Sequence, residues 1–215
     1  KFKVVIKSNL NSKGHLNYGE LILNGKSKQE ILISTYICHP SMANNELSGP
    51  IVSMCLINHF NKVKNLEKTI RFIFIPETIG SITYLNKNLA YLKANVIGGF
   101  NLSCIGDERQ HSCMFSKYQN SPSDEAIVEA YKELKLKYKV YSFLERGSDE
   151  RQYNSPGVNL PISSKLSPHP LNAAPDGLST LPSACVWDNI ISPAVTHALF
   201  NNSDAPSSGI TLRSV

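Results

Sequence analysis

ILISTYICHPSMANNELSGP, residues 31–50, is the stretch on which the fold of this 215-residue chain turns. Ile31–Ile37 reads as a buried strand, and Cys38-His39-Pro40 closes it with a turn. A polar loop follows, Ser41–Glu46, and Leu47-Ser48-Gly49 reads as the entry to a helix. An apolar strand that ends in a histidine, with a helix starting soon after, is the pattern of an α/β sheet edge, where ligands collect. Adjacent strand residues point to opposite faces, so the expectation for Cys38 and His39 is one side chain in and one out. A thiol nucleophile paired with His39 is the third function considered, behind the two given below.

The pattern repeats downstream. Leu47, Ile51, Val52, Cys55, Leu56, His59, Phe60 and Val63 have helical spacing, so an amphipathic helix should run from Leu47 to Val63. Gly49 and Pro50 fall in its first turn, where a missing N–H costs nothing, and His59 reads as a packed boundary residue. Lys68–Ile75, KTIRFIFI, reads as a central strand; it ends in Pro76-Glu77-Thr78-Ile79-Gly80-Ser81, and Ile82, Leu85, Leu89 and Leu92 predict the next helix. Ala94–Ile105 is a third strong strand, Ser123–Lys137 another helix, and Lys139–Leu144 a further strand-like run. Strands alternating with helices predict an α/β fold, a three-layer sandwich around a mostly parallel, mixed sheet. Three strand ends followed by His39, by Glu77 and by the Ser148–Tyr153 loop should meet in one crevice, with Asn44–Glu46 facing His39.

Two shorter strands lie ahead of this unit, Phe2–Lys7 and Leu16–Leu23, the second closed by Asn24-Gly25, a tight-turn pair. Glu20 on the second reads as a strand-surface carboxylate. The net charge of +5 comes from lysines scattered along the chain, not interleaved with aromatics in one stripe, so a nucleic-acid face is not expected. No run of 18 apolar residues and no leader pattern is present, so no membrane span or secretion is expected. Five cysteines at irregular spacing suit reduced thiols in a cytoplasmic protein.

Three stretches together resemble a known family: CHPSMANNELSG (38–49), PETIGS (76–81) and RGSDERQY with PGVNLP (146–153 and 156–161). They are similar to motifs of the zinc aminopeptidase-like proteins found among bacterial polysaccharide-biosynthesis genes, relatives of the co-catalytic zinc aminopeptidases. The resemblance implies zinc as cofactor and places His39 on a metal-binding histidine. Asn45 falls where the family carries a metal-binding Asp, and Glu46, one residue on, is the nearest carboxylate that could replace it. Glu77 falls on a residue that is general base or ligand in the relatives, and Ser103 stands where many of them carry another Asp ligand. Asp107, close by, reads as a loop carboxylate. Ser148, Asp149, Glu150, Arg151 and Tyr153 are expected to line the substrate pocket, with Arg151 able to hold a carboxylate bidentately and Asp149 or Glu150 an amine.

The resemblance covers about residues 1–163. It divides the chain into the end of a small β-rich insert (1–28), an aminopeptidase-like α/β domain (29–163), and a tail (164–215) of different texture. From Lys165 onward the chain holds two of its 22 basic residues and three of its 17 acidic ones, but six of its 12 prolines. The family's terminal metal-binding His motif has no match there; His169 and His197 are the histidines of that region. The expectation is therefore a zinc-dependent aminopeptidase or amidohydrolase-like hydrolase acting on a small peptide or amide-bearing sugar. An amide at position 45 and no terminal His predict weak or absent zinc, because a catalytic zinc usually has three protein ligands. The alternative is a non-catalytic binding or scaffold protein that retains the fold.

Overall fold

A single mixed sheet organises the chain. The structure, a computed structural model, describes residues 2–39, 43–106, 111–145, 147–166 and 210–214. The elements in chain order are β1 (Asn17–Leu23), β2 (Ser27–Tyr36), α1 (Ser48–Phe60), β3 (Lys68–Ile75), α2 (Ile79–Asn95), β4 (Val96–Ser103), β5 (His111–Met114), α3 (Pro122–Glu133), β6 (Tyr138–Tyr141), α4 (Asp149–Tyr153), β7 (Ile162–Leu166) and β8 (Ile210–Ser214). The eight strands among the described residues lie in the order β6-β5-β7-β4-β2-β3-β1-β8. The central four, β7, β4, β2 and β3, are mutually parallel. β1 runs antiparallel to β3 and β5 antiparallel to β7, which makes the sheet mixed.

The period-2 pattern of the strands sorts their side chains to two cores. Ile31 and Ile33 of β2 join Ile70 and Phe72 of β3 beneath Val52, Leu56 and Phe60 of α1 and Ala126, Ile127 and Tyr131 of α3. Leu32, Ile73 and Ile75 face the other way, against Tyr84, Leu85 and Leu92 of α2 and Tyr153 of α4. Helices thus cover both faces, giving the three layers that a parallel sheet requires. α3 is held at its start by a capping box, in which the Ser121 side chain accepts from Asp124 N and the Asp124 side chain accepts from Ser121 N.

Within this frame several local expectations change. Phe2–Lys7 carries no strand and its apolar side chains are exposed; an alternating pattern needs a partner strand, and none of the described residues pairs with it. Asn24-Gly25 does not close a hairpin, because β3 lies between β1 and β2. Its glycine serves a close approach instead, since a Cβ on Gly25 would overlap the backbone of Lys68. Glu20 is not a surface carboxylate. It is buried and accepts from Arg71 Nη1 at 2.7 Å and Tyr84 OH at 2.6 Å. Glu30 grips the same guanidinium with both oxygens, at 2.7 and 2.9 Å. This triad is how KTIRFIFI carries a buried arginine in a central strand. The Lys139–Leu144 run is shorter than expected: β6 ends at Tyr141 and Phe143–Glu145 forms a 3-10 turn. Asp107, His169, His197 and most of the 164–215 tail lie outside the described residues.

Candidate active site

Two neighbouring strands send their helices to opposite faces of the sheet. β2 leads to α1 on one side and β3 to α2 on the other, which opens a crevice at their carboxyl ends, the usual ligand position in open α/β sheets. His39 follows β2 and Glu77 follows β3. Their side chains meet there, His39 Nε2 standing 3.3 Å from Glu77 Oε2.

Each of the two groups is held from behind. Glu46 Oε2 lies 3.1 Å from His39 Nδ1, and its other oxygen accepts from the Cys38 backbone N–H. A carboxylate only accepts, so Nδ1 carries a hydrogen toward Glu46, while Nε2 faces the Glu77 carboxylate in the crevice. Glu46 can reach this position because Ala43–Leu47 winds into a π-helical turn at the head of α1, a local widening common at functional sites. Gly49 lets that helix start close to the sheet: a Cβ there would overlap Thr35 Oγ1 and the Leu102 carbonyl. Glu77 is gripped by Ser148, whose hydroxyl donates to Oε1.

The residue after Glu77 is strained. Thr78 has φ 62° and ψ −64°, and Ile79 N donates to Glu77 O at 2.7 Å, which together make a γ-turn of the rare positive-φ kind. Asp149 pins it. Its Oδ1 accepts from Thr78 N at 2.7 Å and from Ser81 Oγ at 2.8 Å, while Oδ2 is buried without a hydrogen-bond partner among the described residues. Burial pushes the Asp149 carboxyl up to about 6, with the Ser81 and Thr78 hydrogen bonds opposing and the charges of Glu150 and Glu77 adding.

Of the residues expected to line a substrate pocket, Ser148 touches Glu77 and Asp149 supports the turn behind it. Glu150 is fully buried and accepts from Asn101 Nδ2 at 3.2 Å. Tyr153 is equally buried, its hydroxyl 2.7 Å from Ser34 Oγ beneath the sheet edge. Arg151 is exposed. Asn45 is tied off to one side: Oδ1 accepts from Tyr36 OH at 3.2 Å and Nδ2 donates to Cys104 Sγ at 3.4 Å. Ser103 Oγ, 2.9 Å from Tyr36 OH, completes that group. Burial raises the Tyr36 hydroxyl well above its usual range, and the charge of Cys104 adds to it.

Cys38, expected to point away from His39 or to act as a nucleophile, lies beside both His39 and Glu77. β2 ends at Tyr36, so the alternation of strand side chains no longer applies at 38 and 39, and both turn to the same place. Cys38 Sγ is 3.2 Å from His39 Nδ1 and accepts from Glu77 N at 3.1 Å. Partial burial raises its thiol pKa; the Glu77 N–H opposes this, and the charges of Glu46, Glu77 and Asp149 add to the rise. One donor atom each from Cys38, His39 and Glu77 lies within 4.8 Å of the others. Sulfur, imidazole nitrogen and carboxylate oxygen are the donors zinc takes, so the residues present fit that ion.

Fold and site together define an aminopeptidase-like α/β domain. The chain superposes on a crystal structure of a Clostridium acetobutylicum protein named as a peptidase, with TM-score 0.74 and 28% identity over 89% of this chain and 53% of that one. BSAP, a zinc aminopeptidase from Bacillus subtilis, matches with TM-score 0.66 and 16% identity over 88% of this chain and 52% of its own. An aminopeptidase from Aneurinibacillus sp. strain AM-1 matches with TM-score 0.68 and 18% identity over 89% and 50%. At such identities these two show the fold alone. A C. acetobutylicum protein named for polysaccharide biosynthesis and an aminopeptidase-like domain is 40% identical over 165 residues, 77% of this chain and 37% of that protein. The chain belongs to the family described as Domain of unknown function (DUF4910), whose model matches residues 7–170. It spans little more than a third of the C. acetobutylicum sequence relative and about half of the solved structures. No helix among the described residues is long and apolar enough to cross a membrane.

Proposed function

We propose that this chain supplies the metal-holding wall of a zinc-dependent amide hydrolase of the aminopeptidase type, with a small peptide or an amide-bearing sugar as substrate. The observation that carries the reading is the 3.3 Å approach of His39 Nε2 to Glu77 Oε2 at the switch point of the sheet. Two ligands on one tetrahedral zinc, each at about 2.0–2.1 Å, stand about 3.4 Å apart, so this pair has the spacing of two ligands. Of the two roles open to Glu77, ligand fits this geometry better than base. When bound, zinc supplies Lewis acidity toward a carbonyl oxygen and lowers the pKa of a water.

The rest of the work falls to the chain itself. Glu46 fixes the His39 tautomer and ring plane, as second carboxylates do behind metal-binding histidines. Ser148 holds one Glu77 oxygen so that the other points at His39. Asp149 keeps the strained Thr78 turn in place and with it the direction of Glu77. Arg151, exposed on α4, is a cation that a substrate carboxylate could pair with.

The test is hydrolysis by the protein with zinc added, using amino-acid p-nitroanilides and N-acetylated amino sugars, with and without a chelator. Zinc-dependent release from one of the two classes supports the reading. Stoichiometric zinc with turnover of neither class would favour the second reading, a binding or scaffold protein with this fold. Turnover indifferent to chelator would refute the assignment.

A further inference from the structure

We propose that Cys38 binds the metal as a thiolate, completing a Cys-His-Glu centre. The inference rests on the reading of His39 and Glu77 as metal-holding residues and adds the ligand they lack. Three observations lead to it. Cys38 Sγ, a His39 ring nitrogen and a Glu77 oxygen lie within 4.8 Å of one another. Asn45, at the position where a carboxylate is expected, spends both ends of its amide on Tyr36 and Cys104. Ser103, where a further carboxylate would stand, is bonded to Tyr36.

Charge decides between Cys38 and Asn45. A neutral imidazole, one carboxylate and one thiolate balance a divalent cation in full. With Asn45 in place of Cys38 the three ligands would carry one negative charge against two positive and leave the remainder to Glu46, which touches His39 and not the ion. The sulfur is also aimed. Glu77 N donates to it at 3.1 Å, so the turn that places the Glu77 carboxylate places the thiol too. Donor atoms on a zinc with Zn–S of about 2.3 Å stand roughly 3.4–3.8 Å apart. The set therefore closes by up to about an ångström on binding, at a Cys38 side chain that is exposed.

Binding releases the thiol proton to solvent, and no oxidant or reductant is involved. A thiolate donor also predicts metal choice: zinc, cobalt and cadmium should bind, and magnesium and manganese should not compete, because soft sulfur disfavours the hard ions. The signal was present in the sequence as the Cys-His pair, but the in-and-out rule for strands hid it.

The experiment uses the 215-residue chain loaded with cobalt(II) and, separately, with zinc. The cobalt protein should show a near-ultraviolet thiolate-to-cobalt charge-transfer band, and zinc K-edge absorption should show a single sulfur neighbour at about 2.3 Å. Cys38→Ser should remove both signals and weaken zinc binding at least about tenfold, the lower bound for losing even an outer-shell partner. Cys55→Ser should change neither. Zinc should also protect Cys38 from iodoacetamide, as mapped by mass spectrometry, a readout that needs no variant to fold. Metal bound at full stoichiometry with only nitrogen and oxygen neighbours would overturn this inference and leave the His39–Glu77 reading standing. Failure of the wild-type chain to bind zinc or cobalt would overturn both.

Discussion

Asp149→Asn isolates one buried proton. In the wild type, burial raises the carboxyl from 3.8 to about 6. The sign follows from which state binds the proton more tightly. Below about pH 4 the carboxyl is protonated in folded and unfolded chains alike, and the folded state carries no penalty. As pH rises from about 4 to about 6, the unfolded chain ionises first and is favoured; above about 6 both forms are ionised and the loss is complete. A window of about two pH units at roughly 1.4 kcal/mol each makes the loss about 3 kcal/mol. Asparagine keeps the acceptor that Oδ1 offers to Thr78 N and Ser81 Oγ but has no proton to lose. The assay is urea unfolding of the metal-free proteins at about pH 4 and about pH 7, with a chelator present. Relative to the wild type, the variant should gain about 2.5 kcal/mol between the two conditions, the remainder falling below about pH 4, whatever its constant offset. Equal changes in the two proteins, within about 0.5 kcal/mol, would refute the burial argument.

Three further substitutions separate the parts of the site from its scaffold. Glu46→Gln should weaken zinc binding about 10–100-fold with little loss of fold, as measured by competition with a chromophoric chelator, because it removes the partner that sets the His39 ring. Arg71→Met should cost about 3–5 kcal/mol in denaturant unfolding, since it leaves Glu20 and Glu30 buried without their cation. Tyr153→Phe should cost about 1 kcal/mol, the loss of one hydrogen bond to Ser34, and leave zinc affinity unchanged; a substantial loss of affinity would place Tyr153 in the site itself.

Much of the sheet was legible in the sequence because buried parallel strands are written as apolar runs with turns at their ends. KTIRFIFI begins and ends where β3 does, at Lys68 and Ile75. Strand-end logic alone brought His39 and Glu77 to the same edge, and it holds because β2 and β3 are neighbours in register. What was not legible depends on partners distant in the chain. Arg71 looks like the polar member of an alternating strand until Glu20 and Glu30 arrive from β1 and β2. Tyr153 is expected to line the substrate pocket, but α4 turns it under the sheet onto Ser34, where it is fully buried. Asn24-Gly25 has hairpin chemistry, but the strands that pair with β1 come much later in the chain, at Lys68–Ile75 and Ile210–Ser214. Cys38 escaped for a local reason: the strand stops two residues before it, and a rule of alternation was carried past its end.

The account stands or falls on whether His39 and Glu77 hold an ion. Elemental analysis of the dialysed chain and of His39→Ala measures this directly. The amide at position 45 alone predicts weak or absent zinc; with Cys38 as third ligand the expectation becomes about one zinc per wild-type chain, and almost none in the variant. A wild-type chain free of zinc after loading, or a variant that retains all of it, would contradict the account.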